Sequence, residues 1–152
     1  MFDLKDEIKN MSLAILESKK AIDLGNFPCG AIILHNGKVI GKGNACDKNH
    51  GDVTCHAEIL AIKEACNLLG NNDLSQCVIY TTVEPCLMCA SAIFQAGISN
   101  IVIGVSRGNL KKFLRPRSIR IYNLIEDLNY PVQIKVGVLK NDILTLFKNT
   151  KK

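Results

Sequence analysis

A chain of 152 residues, 47% hydrophobic and 22% charged, is the size of one domain with a core of its own, and residues 1–152 are read as one. That balance excludes a disordered or collagen-like chain. Lys and Arg total 19 against 14 Asp and Glu, and the net charge of +5 permits a phosphate-bearing partner without requiring one. No apolar run reaches the ~18 residues of a membrane span. The segment Met1–Asn10 carries Asp3, Asp6 and Glu7 and no apolar stretch of a secretory leader. Seven cysteines without an export signal suit a reduced, cytoplasmic protein better than a disulfide framework.

In chain order, Asp3–Gly25 reads as an amphipathic helix, with Leu4, Ile8, Met11 and Ile15 on one face and Gly25 as the stop. Two short strands follow, Gly30–His35 and Lys38–Gly43, joined by the hairpin signal Asn36-Gly37. Asn44–Thr54 is polar and reads as a loop. A helix is expected over Cys55–Leu69, then a central strand over Cys77–Val83. Pro85 opens a helix over Cys86–Ala96, and Gly97 stops it. Asn100–Val105 is a strand, Ser118–Asn129 a helix, Val132–Leu139 a strand and Asn141–Lys148 a terminal helix. Helix–strand alternation after a hairpin predicts a three-layer α/β fold. The helix between Cys77–Val83 and Asn100–Val105 favours parallel pairing of those strands.

Two local patterns carry chemistry. His56-Ala57-Glu58 falls at one expected helix start, and Pro85-Cys86-Leu87-Met88-Cys89 at the next. Residues three apart share a helix face, so Cys86 and Cys89 can aim both sulfurs at one point. If the two helices pack with the same ends together, His56 reaches that point as well. One nitrogen and two sulfurs suit zinc, and three protein ligands leave a fourth position for water, as in catalytic sites. Glu58 lies ~200° around an ideal helix from His56, yet at a frayed first turn it can face the pocket as a proton carrier. Two thiolates and a neutral imidazole cancel the charge of Zn²⁺, so a nearby base is needed to activate the water. The reaction class that follows is hydrolytic attack on an electrophilic carbon.

These residues resemble the H-x-E…P-C-x-x-C signature of the cytidine/deoxycytidylate-type zinc deaminase superfamily. The resemblance implies a cytidine deaminase-like α/β/α sandwich with a central mixed five-stranded sheet. It implies one Zn²⁺ per chain on His56, Cys86 and Cys89, with Glu58 as general acid/base. From about Ser12 to Phe147 the order of elements is most similar to the tRNA adenosine deaminase and guanine deaminase branches. On that similarity Asn44, Ala57, Pro28 and Pro85 are expected substrate contacts, and a purine amine, in tRNA adenosine or guanine, is the favoured substrate. Nucleobase, nucleoside or RNA partners and a homodimer are also implied. Cys55 stands where an alanine is usual. Segment Ser106–Arg120 carries Lys111, Lys112, Arg115, Arg117 and Arg120 in place of a small-residue loop.

Other readings stay open at this level. A deoxycytidylate-like activity would show the same zinc motif. A non-catalytic zinc module binding RNA or a protein would not need Glu58. Cys86 and Cys89 could form a redox dithiol. A closed structural zinc site would take its fourth ligand from Cys55, His50 or His35. Cys29, Cys46, Cys66 and Cys77 read as buried filler. Glu84 either orients groups around the zinc loop or is exposed, and the basic cluster Lys111–Arg120 is a solvated face or a phosphate contact.

Overall fold

A computed structural model describes residues 3–150 of the chain. Helix α1 (Leu4–Asp23) starts at Asp3, whose carboxylate accepts from the Lys5 N–H at 2.9 Å. Strands β1 (Gly30–His35) and β2 (Lys38–Asn44) form the expected hairpin. Asn36 and Gly37 hold the positive φ angles, 50° and 75°, that a tight primed turn requires. A short helix α2 (Asp47–His50) then leads to α3 (Ala57–Leu69), β3 (Cys77–Val83), α4 (Leu87–Gln95) and β4 (Asn100–Val105). A 3₁₀ turn (Arg107–Leu110), α5 (Ile121–Ile125), β5 (Gln133–Val136) and α6 (Lys140–Asn149) complete the order.

The sheet runs β2-β1-β3-β4-β5. β1 is antiparallel to both β2 and β3, whereas β3, β4 and β5 are mutually parallel, as the β3–α4–β4 crossover predicts. Alternation along the strands divides the core in two. Ala31, Ile33, Ile79, Ile101 and Ile103 face α3 and α4. Ile32, Leu34, Tyr80 and Val102 face Met11 of α1 and Phe147 of α6. The chain is therefore the expected three-layer sandwich on a mixed five-stranded sheet.

Three elements differ from their sequence reading. The polar loop after β2 contains the short α2. The expected helix Ser118–Asn129 shrinks to Ile121–Ile125, because the Asn123 side chain accepts from the Arg120 N–H at 2.9 Å and starts the helix there. The expected strand Val132–Leu139 stops at Val136, because Gly137 and Leu139 turn to φ 104° and 55°.

The contact that positions the site is the packing of α3 on β2. A Cβ on Gly43 would lie 2.0 Å from the Ala57 carbonyl oxygen, and one on Gly41 2.2 Å from that of Ala61. Glycine on the strand and alanine on the helix let the two backbones meet without a side chain between them. Gly43→Ala is expected to push α3 off the sheet and to cost about 1–3 kcal/mol, as overpacking does. A lowered urea midpoint at unchanged m-value, with a lowered zinc affinity, checks this.

Candidate active site

His56 and Cys86 hold equivalent places, each the residue that precedes a helix: His56 is the N-cap of α3 and Cys86 the N-cap of α4. Both backbones are extended there, with φ/ψ of −87°/157° and −68°/170°. Cys89 lies within the first turn of α4 and is fully buried. The His56 Nδ1 atom lies 3.6 Å from Cys86 Sγ and 3.5 Å from Cys89 Sγ. A tetrahedral zinc with Zn–S of ~2.3 Å and Zn–N of ~2.0 Å sets nitrogen–sulfur edges of ~3.5 Å. The three side chains thus fit that ion in donor type and in spacing. Among the described residues they form a metal-competent group of three, with no fourth protein donor.

None of the three alternative fourth ligands belongs to this group. His35 pairs with Cys77 at the opposite end of the sheet. Cys55 and His50 come together with Cys46 in a second group. The arrangement is therefore the open type that leaves room for a water.

Hydrogen bonds from Cys89 and from His56 lower the Cys86 thiol to about 4. Cys89, which donates to Cys86 and is buried, is pushed up. The His56 imidazole is raised, chiefly by its hydrogen bond to Cys86. The two helix N-termini add positive potential at the same point.

Glu58 lines the same cavity and is 6% exposed. The ~200° separation expected on a helix does not apply, since His56 precedes the helix in extended conformation and both side chains can turn to one side. Burial pushes the Glu58 carboxyl above its ordinary range. The Thr81 hydroxyl lies 2.9 Å from the Val83 carbonyl and 3.3 Å from Glu58 Oε1. Its one proton suits the nearer acceptor, which leaves its oxygen free to accept from a protonated Glu58.

The cavity has a volume of about 510 Å³, enough for a nucleotide-sized ligand. Of the four expected substrate contacts, Ala57 lines it and Asn44, Pro28 and Pro85 are not among its lining residues. The Asn44 amide instead donates to Glu17 of α1 at 3.4 Å, and the Pro28 carbonyl accepts from the Thr82 hydroxyl at 3.1 Å. Sequence reasoning missed Asn26, Phe27, Asp47, Lys48 and Arg107, all of which line the cavity. Arg107 Nε and Asn26 Oδ1 are buried without a hydrogen-bond partner. Cys29 also lines the cavity, and burial pushes its thiol up, whereas Cys77 packs in the core.

The basic segment divides into two parts. Arg117 faces the cavity. Arg120 turns inward and grips Glu84 through two hydrogen bonds, at 2.7 and 2.5 Å. Glu84 is 1% exposed and also accepts from the Arg107 N–H at 3.0 Å. Of the two sequence readings of Glu84, the buried, orienting one holds. Its carboxylate ties the segment after β4 to the residue just before Pro85-Cys86.

The comparisons with known proteins agree with this geometry. Residues 4–105 match the family described as the cytidine and deoxycytidylate deaminase zinc-binding region. The chain is 31% identical over 149 residues to the tRNA-specific adenosine deaminase of Streptococcus pyogenes serotype M18, spanning 97% of this chain and 91% of that one. It is 40% identical over 92 residues to the tRNA-specific adenosine deaminase of Aquifex aeolicus, 60% of this chain and 61% of that one. Among solved structures, one from a study of A-to-I editing by tRNA:A34 deaminases superposes with a TM-score of 0.79 at 28% identity, covering 91% of this chain and 98% of the other. A guanine deaminase from Nitrosomonas europaea shares the fold, with a TM-score of 0.83 at 22% identity over 94% of this chain and 83% of that one.

Arg120→Ala would leave the buried Glu84 carboxylate without its side-chain partner. The expected loss is about 3 kcal/mol, read as a lowered urea midpoint. Arg120→Lys is expected to recover only part of it, since an ammonium cannot grip both oxygens.

Proposed function

Because the chain belongs to the cytidine and deoxycytidylate deaminase family, a family of zinc-dependent deaminases, we propose that it removes the exocyclic amine of a purine base by hydrolysis, with adenosine in tRNA as the substrate. The observation that carries the reaction is Glu58, a buried carboxyl in the same cavity as the His56, Cys86 and Cys89 group. A binding module has no use for such a carboxyl beside an open metal position.

His56, Cys86 and Cys89 would hold the zinc, which when bound supplies Lewis acidity toward a water in its open position. Glu58 accepts a proton from the attacking water and passes it to a ring nitrogen of the base. The water oxygen bonds to the amine-bearing carbon. Glu58 then takes the remaining proton from the adduct hydroxyl and delivers it to the amine, the C–N bond breaks, a carbonyl remains and ammonia leaves. Its raised protonation range suits a group that must both hold and release a proton. Ala57 contributes to the wall against which the base rests.

Lys48, Arg107 and Arg117 line the cavity together with Asp47, Glu58 and Glu84, and the three cations supply contacts that a phosphate-bearing substrate would use. The unpartnered Arg107 Nε and Asn26 Oδ1 supply a donor and an acceptor for a ligand's polar edge. The names of the relatives supply the remaining support, since they are tRNA-specific adenosine deaminases. The reading takes residues 1–152 as one domain, a homodimer as the working form and the cytoplasm as its compartment. Among the described residues no helix is long and apolar enough to cross a membrane.

The test is ammonia release from zinc-loaded protein with bulk tRNA, guanine, adenosine, cytosine and deoxycytidylate as substrates. Release from tRNA with inosine in the product is expected, and release from guanine or deoxycytidylate alone would overturn the tRNA assignment. Glu58→Ala is expected to keep zinc and fold and to lose about 10²-fold or more in kcat. Turnover retained in that variant removes Glu58 from the mechanism. Arg117→Ala is expected to weaken tRNA binding and to reduce the slope of log affinity against log salt by about one. Light scattering of the purified chain reads the dimer.

A further inference from the structure

The loop between β2 and α3 gathers a second set of metal-ligand side chains. Cys46, His50 and Cys55 place one donor atom each within 4.8 Å of the other two. Both cysteines are buried, and His50 is exposed at the C-terminal end of α2. These residues are separate from His56, Cys86 and Cys89, which form a group of their own. Cys55 and His56 are chain neighbours that serve different groups.

The loop is built to hold this arrangement. The Cys46 N–H donates to the Cys55 carbonyl at 3.1 Å and closes its base. The His50 N–H donates to the Cys46 carbonyl at 3.1 Å, and Gly51 reverses the chain at φ 60°. The Cys55 N–H donates to the Asp52 carbonyl at 3.0 Å. Asp52 Oδ2 lies 3.7 Å from Cys55 Sγ, while Asp52 Oδ1 accepts from Thr54 and fixes the carboxylate beside the group. Two sulfurs and one imidazole form a borderline-soft donor set of the kind that favours zinc over magnesium or calcium.

We propose that Cys46, His50 and Cys55 bind a second zinc ion. None of the three lines the substrate cavity, so this ion is structural. It clips together the loop from which Asp47, Lys48 and Val53 line the substrate cavity. Closing a loop through a metal removes unfolded conformations in the way a cross-link does. The site makes the zinc content two per chain, against the single ion that the family motif implies, and it stands whatever base the enzyme deaminates.

The test compares zinc content between variants. Protein purified under reducing conditions is saturated with zinc, freed of excess and measured by elemental analysis. Wild type is expected to carry one zinc more per chain than His50→Ala, and one more than Cys46→Ser. His50 is exposed, so its replacement leaves the core intact, and circular dichroism confirms the fold of both variants. In cobalt-substituted protein, the thiolate-to-cobalt absorbance is expected to fall by about half in each variant. Equal zinc content in wild type and both folded variants overturns the proposal. A Cys46–Cys55 disulfide in zinc-saturated protein kept under reducing conditions overturns it too. Because the readout is a difference between variants, loss of the His56, Cys86 and Cys89 ion changes both totals alike and is recognised separately.

Discussion

The site depends on how closely α3 lies against β2. Gly41 and Gly43 on the strand meet Ala57 and Ala61 on the helix backbone to backbone, and this contact sets the position of the α3 N-terminus. His56 and Glu58 are carried on that terminus, on either side of Ala57, whose carbonyl touches Gly43. The cysteines come from a different helix, α4, which follows the central strand β3. The metal group is therefore assembled across two helices that share one face of the sheet. Its spacing is only as accurate as the packing of each helix on its own strand. Small residues at such a place reflect a tolerance of tenths of an ångström, and they need no role in the chemistry.

Two buried carboxylates divide the work near the end of β3. Glu58 has the Thr81 hydroxyl beside it and no cation in its hydrogen bonds, so burial dominates and favours its neutral form. Glu84 has Arg120 in a two-point grip and the Arg107 N–H in addition. A carboxylate held by such partners acts as a fixed anchor. One buried acid is left without a cation partner, and the other is paired. The same anchor explains why the positive segment after β4 is not one uniform surface: Arg120 is consumed within the fold, and Arg117 remains at the cavity.

Much of this was legible in the sequence, for physical reasons specific to each element. β1, β3 and β4 were legible to the residue because their apolar runs are short and end in turn residues. His56, Glu58, Cys86 and Cys89 were legible because a metal site constrains residue type and local spacing together. The hidden features depend on residues distant in the chain. Nothing in the spacing of Glu84 and Arg120, 36 positions apart, announces a buried pair. The Asn44 amide meets Glu17, 27 positions earlier, a contact that no local pattern announces. Cys46 was read as filler, and Cys55 and His50 as candidate fourth ligands of the first group, because a polar loop has no periodicity to reveal that it folds back on itself. The helix expected from Ser118 was overestimated because the side chains that start it, Arg120 and Asn123, act through contacts rather than through pattern.

The layer opposite the metal group joins the two ends of the chain. Lys135 of β5 makes an ion pair with Glu7 of α1, 128 positions away, and Phe147 of α6 stacks on Phe27 at a centroid distance of 6.0 Å. During synthesis, α1 can pack on β1 and β3 as soon as these emerge, whereas the face of β4 waits for α6. Every residue of both metal groups lies between Cys46 and Cys89 and is available well before that point. The order of emergence thus allows the metal-bearing half to take up its ions while the far layer is still open. A variant lacking α6 therefore keeps all its ligands but loses the cover of β4.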